Sequence, residues 1–415
     1  MTLSVRNILL INIVFLSLPS YGSDTISWND CLQKTRENNP DVKAAKEQLE
    51  STRSTYKSTY SGFLPEVNAS AGYTKSQTNN VDKKNYTLGL NVTQNIFSGF
   101  RSYYSMEEAS ANVNSVDAKL ASVLADVSYE LKKNYAEMIY AQQSITLEKE
   151  ILKRREENLK LVELRFSSGR ENKGAVLLSK AYHQQAKYDE LTASNNFVVV
   201  RSQFAKTLYL EQDENFTVKE DISLSSPEEK LDLNMLIAQN PTEKQNLADE
   251  ESSLAAIGVA RSKFYPSLDF TGSVNKVGEK FAPENKNWAI GVNLTLPLFE
   301  GGNSYYSLQS AKHNYYKAQY SRRSSNKNLV ALIQQAHAAY REAIEKFKVD
   351  QSFLDAALVR AEIARNKYNN GLMTFDDWDV IESDLIAREK AVLQSKKARI
   401  VAEASYEQVL GKGSL

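Results

Sequence analysis

Apolar residues recur at a helical period over a very long stretch of this chain. Val113, Val116, Leu120, Val123, Val127, Leu131, Tyr135, Met138, Ala141 and Ile145 advance 32 residues in nine steps, about 3.56 per step. That spacing lies between the 3.5 of a supercoiled helix and the 3.6 of a straight one. The 69 residues between Gly99 and Gly169 contain no glycine and no proline. As one helix at ~1.5 Å per residue they would run roughly 100 Å. A globular domain has no room for such a rod, and residues 303–370 repeat the pattern with another uninterrupted stretch.

The period changes between rods. Val67, Ala69, Ala71 and Tyr73 alternate with Asn68, Ser70, Gly72 and Thr74, and after a polar loop Tyr86, Leu88, Leu90 and Val92 alternate with Thr87, Gly89, Asn91 and Thr93. Two period-2 segments joined by a polar loop predict a β-hairpin, here over 64–97. A second follows over 266–298, with Leu268, Phe270 and Val274, then Trp288, Ile290, Val292, Leu294 and Leu296, on its apolar side. A helical pattern with Pro40 inside it precedes the first hairpin, and a connector at 211–230 looks irregular.

The chain is written twice. Asn39-Pro40 returns as Asn240-Pro241, and Phe63-Leu64-Pro65 returns as Phe264-Tyr265-Pro266, both 201 residues on. From the hairpins onward the offset is 202, so that Tyr86 meets Trp288 and Gly169 meets Gly371. Landmarks shared in one register indicate internal duplication. The first repeat, 23–210, then comprises a helix, the 64–97 hairpin, a long helix over 100–167, a tip at 168–174 and a helix over 175–210. The second, 231–411, has its hairpin at 266–298, a long helix over 303–369, a tip at 370–374 and a helix over 375–411. In each half the two shorter helices add up to about the length of the long one. Stacked end to end they could flank it, with the hairpin at one end, the tip glycine at the other and the 211–230 connector at mid-height.

Composition narrows the classes. Fifty-one basic against 51 acidic residues leave no net field for nucleic acid and no acidic mass suggesting disorder. The lone Cys31 excludes an internal disulfide, and its place on an apolar helix side suits a buried thiol. Arg6, the apolar run 8–18, Pro19 and Ser20-Tyr21-Gly22 read as a signal peptide over 1–22, too short to anchor. His183, His313 and His337 show no ligand spacing, and no nucleophile elbow or phosphate loop appears, so neither a metal, nor a cofactor, nor an enzyme is expected. Lys153-Arg154-Arg155-Glu156-Glu157 reads as a solvated helix face.

Four strands cannot close a barrel, since the smallest membrane barrels use about eight. Yet these strands carry a membrane barrel's alternation, with Tyr73, Tyr86 and Trp288 at the loop end and Phe63, Phe97, Phe264 and Phe299 at the helix end. Open sheet edges are not tolerated in hydrocarbon. More than one copy must then share a barrel, and three copies would supply twelve strands.

The paired Asn-Pro steps, the Phe-X-Pro entries, the Phe-X-Gly exits and the matched Arg165-Phe166-Ser167-Ser168-Gly169 and Lys367-Tyr368-Asn369-Asn370-Gly371 resemble the outer-membrane efflux protein family, the TolC-like exit ducts. The resemblance implies a mainly α fold with a four-stranded β contribution per chain. Three chains would form an outer-membrane β-barrel continuous with a periplasmic α-helical barrel. It also implies a passive duct for efflux or type I secretion, partnered by a periplasmic adaptor and an inner-membrane pump or ABC transporter, and held in outer-membrane lipid. At the tips, Gly169, Arg170, Glu171 and Asn172, with Gly371, Leu372, Met373 and Thr374, are then the adaptor contacts. The family's aperture carboxylate, six residues past the second tip glycine, falls on Asp377, with Asp376 and Asp379 beside it. Its closing aromatic falls on Tyr368. The next aperture carboxylate falls on Val380, and the carboxylate that usually holds the aromatic falls on Ala175. A secreted, pore-less coiled-coil or adhesin-like stalk and a soluble helical scaffold are the competing readings.

Overall fold

The computed structural model describes residues 24–78, 81–210, 215–222, 225–228 and 230–415. The expected signal peptide at 1–22 and part of the 211–230 connector lie outside them. In chain order the elements are β1 (Asp24–Ile26), α1 (Trp28–Asn38), α2 (Pro40–Ser58), β2 (Glu66–Thr78), β3 (Val81–Ser98), α3 (Arg101–Ser167), α4 (Lys173–Thr207) and β4 (Phe216–Val218). They continue with α5 (Leu233–Gln239), α6 (Pro241–Arg261), β5 (Ser267–Gly278), β6 (Asn285–Thr295), α7 (Asn303–Asn369) and α8 (Phe375–Val409).

Both α3 and α7 are unbroken over 67 residues, roughly 100 Å each. Each starts behind two successive left-handed residues, Gly99 and Phe100 at φ 63° and 68°, and Gly301 and Gly302 at 63° and 87°. Only Phe100 carries a side chain in that conformation, a strain of order 1–3 kcal/mol. Its ring sits edge-on to Phe97 and Tyr265 at centroid distances of 5.2 and 6.2 Å. The Asn-Pro landmarks are helix breaks. Asn39 caps α2 by accepting from the Asp41 and Val42 amides, 2.8 and 3.1 Å, and Asn240 caps α6 by accepting from Thr242, 2.9 Å. Proline at the first helical position sacrifices no hydrogen bond.

The helices form one layer. α2 and α4 flank α3 on one side, α6 and α8 fill the space between α3 and α7, and α7 is the far edge. The described part of the connector lies at mid-height, where it contains a strand, β4, that the irregular composition did not suggest. β4 pairs in parallel with β1, Asp24 opposite Phe216 and Ile26 opposite Val218. Tyr135, in the middle of α3, donates to the Lys219 carbonyl at 2.6 Å, and the Gln142 amide donates to Val218 O at 3.1 Å. In the middle of α7 the Tyr340 hydroxyl reaches the Ser225 carbonyl and His337 Nε2 lies 2.9 Å from Glu228 O. The core is accordingly divided. Two apolar clusters lie at connector height, one around Tyr135, Met138 and Phe204 and one around Ile333 and Tyr340, and a third lies at the tips.

Only part of the α3 apolar line is fully buried. Leu131, Tyr135, Met138 and Ala141 are, whereas Val113, Val116, Leu120, Val123 and Val127 are half-buried. The seam nearer the sheet runs through Ala111, Ser115, Ala118 and Ala125, whose small side chains let α6 approach closely. Periodicity of large residues therefore identified a second, less covered face. Some boundaries also move: the strands span 66–98 and 267–295, and α4 begins at Lys173 and ends at Thr207 because Asn172 caps it and Leu208 ends it.

The two hairpins join through β3 and β5 into one antiparallel sheet of order β2-β3-β5-β6. The register puts Ala69 opposite Leu90, Leu90 opposite Val274 and Val274 opposite Trp288, and the neighbouring same-face row runs Val67, Val92, Gly272 and Ile290. The opposite face carries Ser70, Gly89, Asn275 and Asn287 in one row and Asn68, Asn91, Ser273 and Ala289 in the next. A bulge at Ile96 resets the pairing so that Phe97 meets Leu268. Among the described residues nothing covers the outer part of the apolar face: Ile290, Val292 and Leu294 are 65–68 % exposed. Among the described residues no helix is long and apolar enough to cross a membrane.

On the membrane-barrel expectation, lysine on the apolar face should cost about 2–4 kcal/mol per copy at mid-membrane depth. Ile290→Lys is thus expected to deplete the protein from detergent-extracted outer membranes, while Asn293→Lys, on the polar face of the same strand, leaves its recovery close to wild type.

Candidate tip site

At the end remote from the sheet, α3 turns into α4 and α7 into α8 through the same geometry. Gly169 N–H donates to Phe166 O (2.9 Å) and Arg170 N–H to Arg165 O (2.8 Å); Gly371 N–H donates to Tyr368 O (3.0 Å) and Leu372 N–H to Lys367 O (2.8 Å). These paired bonds close a Schellman motif, which requires a left-handed residue just past the helix. Gly169 and Gly371 supply it at φ 73° and 75°. Asn172 and Thr374 then cap the outgoing helices, accepting from the Ala175 and Asp377 amides at 2.9 and 3.2 Å. Arg170, Asn172, Leu372 and Thr374 are exposed, Leu372 by 76 %, whereas Glu171 and Met373 are half-buried.

An aromatic stack in the second tip is held by two residues of the first, Arg165 and Glu171. Tyr368, fully buried, lies parallel to Trp378 with centroids 4.4 Å apart and planes 11° from parallel. The Arg165 guanidinium sits 4.5 Å from the Tyr368 ring centroid and donates to the Tyr368 carbonyl at 2.7 Å. The Tyr368 hydroxyl donates to Glu171 Oε2 at 3.0 Å. Burial first, then that carboxylate, push the phenol above its ordinary value. Ala175, where the resemblance places the partner of this aromatic, is a buried core residue. Glu171, four positions earlier in the first tip, makes the contact instead. Tyr368 accordingly belongs to the tip core and lines no opening within the chain.

The three aspartates separate. Asp376 and Asp377 are exposed in the first turn of α8, where the helix dipole favours them. Asp377 Oδ2 also accepts the Thr374 hydroxyl at 2.7 Å. Asp379 is not a free aperture charge: Arg155 holds it at 3.0 Å with both side chains largely buried. Arg155 also donates to Ser383 Oγ at 3.0 Å and packs over the Tyr182 ring at 4.4 Å, joining α3, α4 and α8.

The charged run on α3 is therefore only in part a solvated face: Lys153, Glu156 and Glu157 are exposed, whereas Arg154 is half-buried and Arg155 buried. Arg154 grips Glu389 with two nitrogens, 2.8 and 2.5 Å, and approaches Glu382 at 3.4 Å. The pairing continues up the α3–α8 seam with Glu148–Lys390 at 2.8 Å, Glu137–Lys397 at 3.0 Å and Lys132–Glu407 at 3.0 Å. One sequence signal was available. At the 202-residue offset Arg154 and Arg155 correspond to Ala356 and Ala357, so the charges break a repeat that holds elsewhere. Among the described residues no three His, Cys, Asp or Glu side chains are placed to hold a metal.

The family model for outer membrane efflux proteins matches residues 31–205 and 233–412, the two halves on either side of the connector. The chain belongs to the outer membrane efflux protein family. It is similar to Nodulation protein T of Rhizobium leguminosarum bv. trifolii, 24 % identical over 382 residues covering 88 % of this chain and 80 % of the relative. With outer membrane protein TolC of Vibrio cholerae it shares 23 % identity over 397 residues, 90 % of this chain and 79 % of the other. With cation efflux system protein CusC of Escherichia coli strain K12 it shares 22 % over 398 residues, 91 % and 84 % respectively. A crystal structure of CusC superimposes with a TM-score of 0.83 at 18 % identity, covering 93 % of this chain and 92 % of that one. VceC from Vibrio cholerae gives 0.82 at 19 %, covering 93 % and 96 %. The chain is thus an outer-membrane efflux duct with the fold of the TolC-like channels, and the unpaired sheet face and helical layer of this family member have a membrane and an aqueous compartment to meet.

Removing one partner of a buried ion pair typically costs 3–5 kcal/mol. Arg155→Ala should therefore lower the melting temperature of the helical part clearly more than Lys160→Ala, whose exposed pair with Glu156 is worth under about 1 kcal/mol. Tyr135, Tyr340 and Tyr368 all have raised phenol values. Unfolded tyrosine ionises near pH 10, before these buried phenols do, so their stabilisation is complete below about pH 10 and is lost as pH rises beyond it. A thermal-melt series from pH 8 to 11.5 should show the loss, and Tyr368→Phe should shrink it.

Proposed function

We propose that three copies of this chain form one continuous duct, in which the sheets close a twelve-stranded barrel and the helical layers close a tunnel gated at the tips. The single observation that supports this most is that both layers end on the same two edges. The sheet stops at β2 and β6 with ladder groups unpaired, and the helical layer stops at α2 and α4 on one side and α7 on the other. Apolar side chains stand exposed on both helical edges, Leu177, Tyr188 and Leu191 on α4 and Phe353, Val359 and Ile363 on α7. An edge strand in hydrocarbon must be paired, and one copy's β6 against the next copy's β2 pairs it. The polar sheet face then lines the lumen.

In this reading the Glu171–Tyr368 hydrogen bond ties the two tips of one chain together in the narrow state. Asp376 and Asp377, repeated in each copy, ring the aperture and favour cations, as acidic rings do in channels. The exposed tip residues Arg170, Asn172 and Leu372 are offered to a periplasmic adaptor. That adaptor couples the duct to an inner-membrane pump or ABC transporter, and the transport through the duct is passive. Efflux is the supported use, and secretion of larger cargo by a type I system uses the same path.

Single-channel recording on the purified oligomer, with its mass measured, tests the duct. The expected result is a trimeric mass and a small, cation-selective conductance. Asp376→Asn with Asp377→Asn should lower the cation-to-anion permeability ratio several-fold, and Glu171→Gln with Tyr368→Phe should raise the mean conductance. A monomer without conductance contradicts the assembly, and an unchanged permeability ratio removes the aperture role of the aspartates.

A further inference from the structure

At the loop end of the sheet, the register places lysines directly against lysines. Lys75 lies opposite Lys84 across β2 and β3, and Lys276 lies opposite Lys286 across β5 and β6. Like charges directly opposite in an antiparallel pair destabilise it, and this sheet has the arrangement twice. All four are exposed. All four also stand on the apolar face: Lys75 follows Val67, Ala69, Ala71 and Tyr73 at period two, Lys84 precedes Tyr86, Leu88 and Leu90, Lys276 follows Val274, and Lys286 precedes Trp288. Each lysine of the four is thus one step beyond the last hydrophobic or aromatic side chain of its strand. Lys75 is relieved by Asp82 at 2.9 Å. Among the described residues Lys84, Lys276 and Lys286 have no acidic partner within 4.0 Å.

Dimensions place this belt at the membrane surface. From Leu296, one residue past the end of β6, to Trp288 the chain runs eight residues, about 27 Å at 3.4 Å each. At a tilt of about 40° that spans about 20 Å of bilayer, close to the apolar band of an outer-membrane barrel. On each hairpin the lysine pair lies one row beyond an aromatic one, Lys75 and Lys84 past Tyr73 and Tyr86, Lys276 and Lys286 past Val274 and Trp288, the second pair four residues nearer the helices along the ladder; these aromatics mark the interface at the end away from the helices. With the helices in the periplasm, that end faces the outer leaflet.

We propose that this lysine belt binds the phosphate groups of the anionic glycolipid headgroups in the outer leaflet, so that the ligand's charge relieves the lysine–lysine juxtaposition. The assignment rests on the outer-membrane duct reading, because it needs the apolar face to be lipid-facing. The methylene stems of the lysines lie along the apolar face and their ammonium groups reach up to the phosphates. A charge on the lumenal side of the same strands has no such access. Lys83 alternates to the polar face beside Lys84 and serves as the internal control.

The test compares wild type, Lys84→Gln/Lys276→Gln/Lys286→Gln and Lys83→Gln, each purified in a mild detergent. Lipopolysaccharide retained per oligomer is measured by phosphate assay and native mass spectrometry, and the melting temperature is read with added lipopolysaccharide, zwitterionic phospholipid or inorganic phosphate. The expected result is a several-fold loss of retained lipopolysaccharide in the triple variant only. Wild type should gain several degrees with lipopolysaccharide, less at high salt, and nothing with zwitterionic lipid. Inorganic phosphate at millimolar concentration should reproduce none of the shift; if it reproduces all of it, the site binds free phosphate and the headgroup assignment is wrong. Equal retention and equal shifts in wild type and triple variant, with both conducting normally in planar bilayers, overturn the assignment and leave the duct standing. Replacement by arginine at the three positions should restore retention.

Discussion

One constraint governs this molecule: a backbone edge cannot be left unpaired in hydrocarbon. The four-stranded sheet has two such edges and an apolar face with no helix over it. Everything below the sheet is consistent with that incompleteness. The helices are too long for a compact domain, they form one layer instead of a bundle, and their buried apolar residues fall into three separate clusters along the rods. In the proposed assembly, copies of the chain cover what one copy leaves open.

The rods transmit position over roughly 100 Å only because each joint is stiff. At the sheet, successive left-handed residues launch each long helix in a set direction. At mid-height the connector bonds to Tyr135 and Gln142 on one rod and to His337 and Tyr340 on the other. At the tips Arg165, Tyr368 and Trp378 stack across the two turns. The seam between α3 and α8 is ionic, whereas the free edges of α4 and α7 are apolar. Buried ion pairs add little net stability but punish misalignment, so this seam suits a register that must be kept within the chain. The apolar edges suit association.

Much of this was legible in the chain itself. The period of Val113 through Ile145 and the glycine-free stretches gave the rods, and the alternation around Leu88 and Ile290 gave the strands. The recurrence of Asn-Pro and of the tip glycines located the turns, because a Schellman turn leaves few residue choices at its left-handed position. Contacts distant in sequence were not legible. Nothing local to Asp379 announces that Arg155 neutralises it, since the two are 224 positions apart. Nor does a polar connector announce that Phe216–Val218 will pair with β1. The Tyr368 partner was missed for a related reason: four positions separate Ala175 from Glu171, and a half-buried carboxylate in a tight turn can reach a hydroxyl donor that a helical position would otherwise serve.

The central claim is that identical copies complete one another's sheet and helical layer. The most direct measurement is the distance between β2 of one copy and β6 of the next, read by disulfide trapping in outer membranes. Cysteine pairs are placed at Ala69 and at a series of β6 positions, with the native Cys31 replaced. The account predicts crosslinking between chains at one register only, yielding a covalent trimer. Crosslinking at no register, with the mature chain recovered as a monomer, would contradict it.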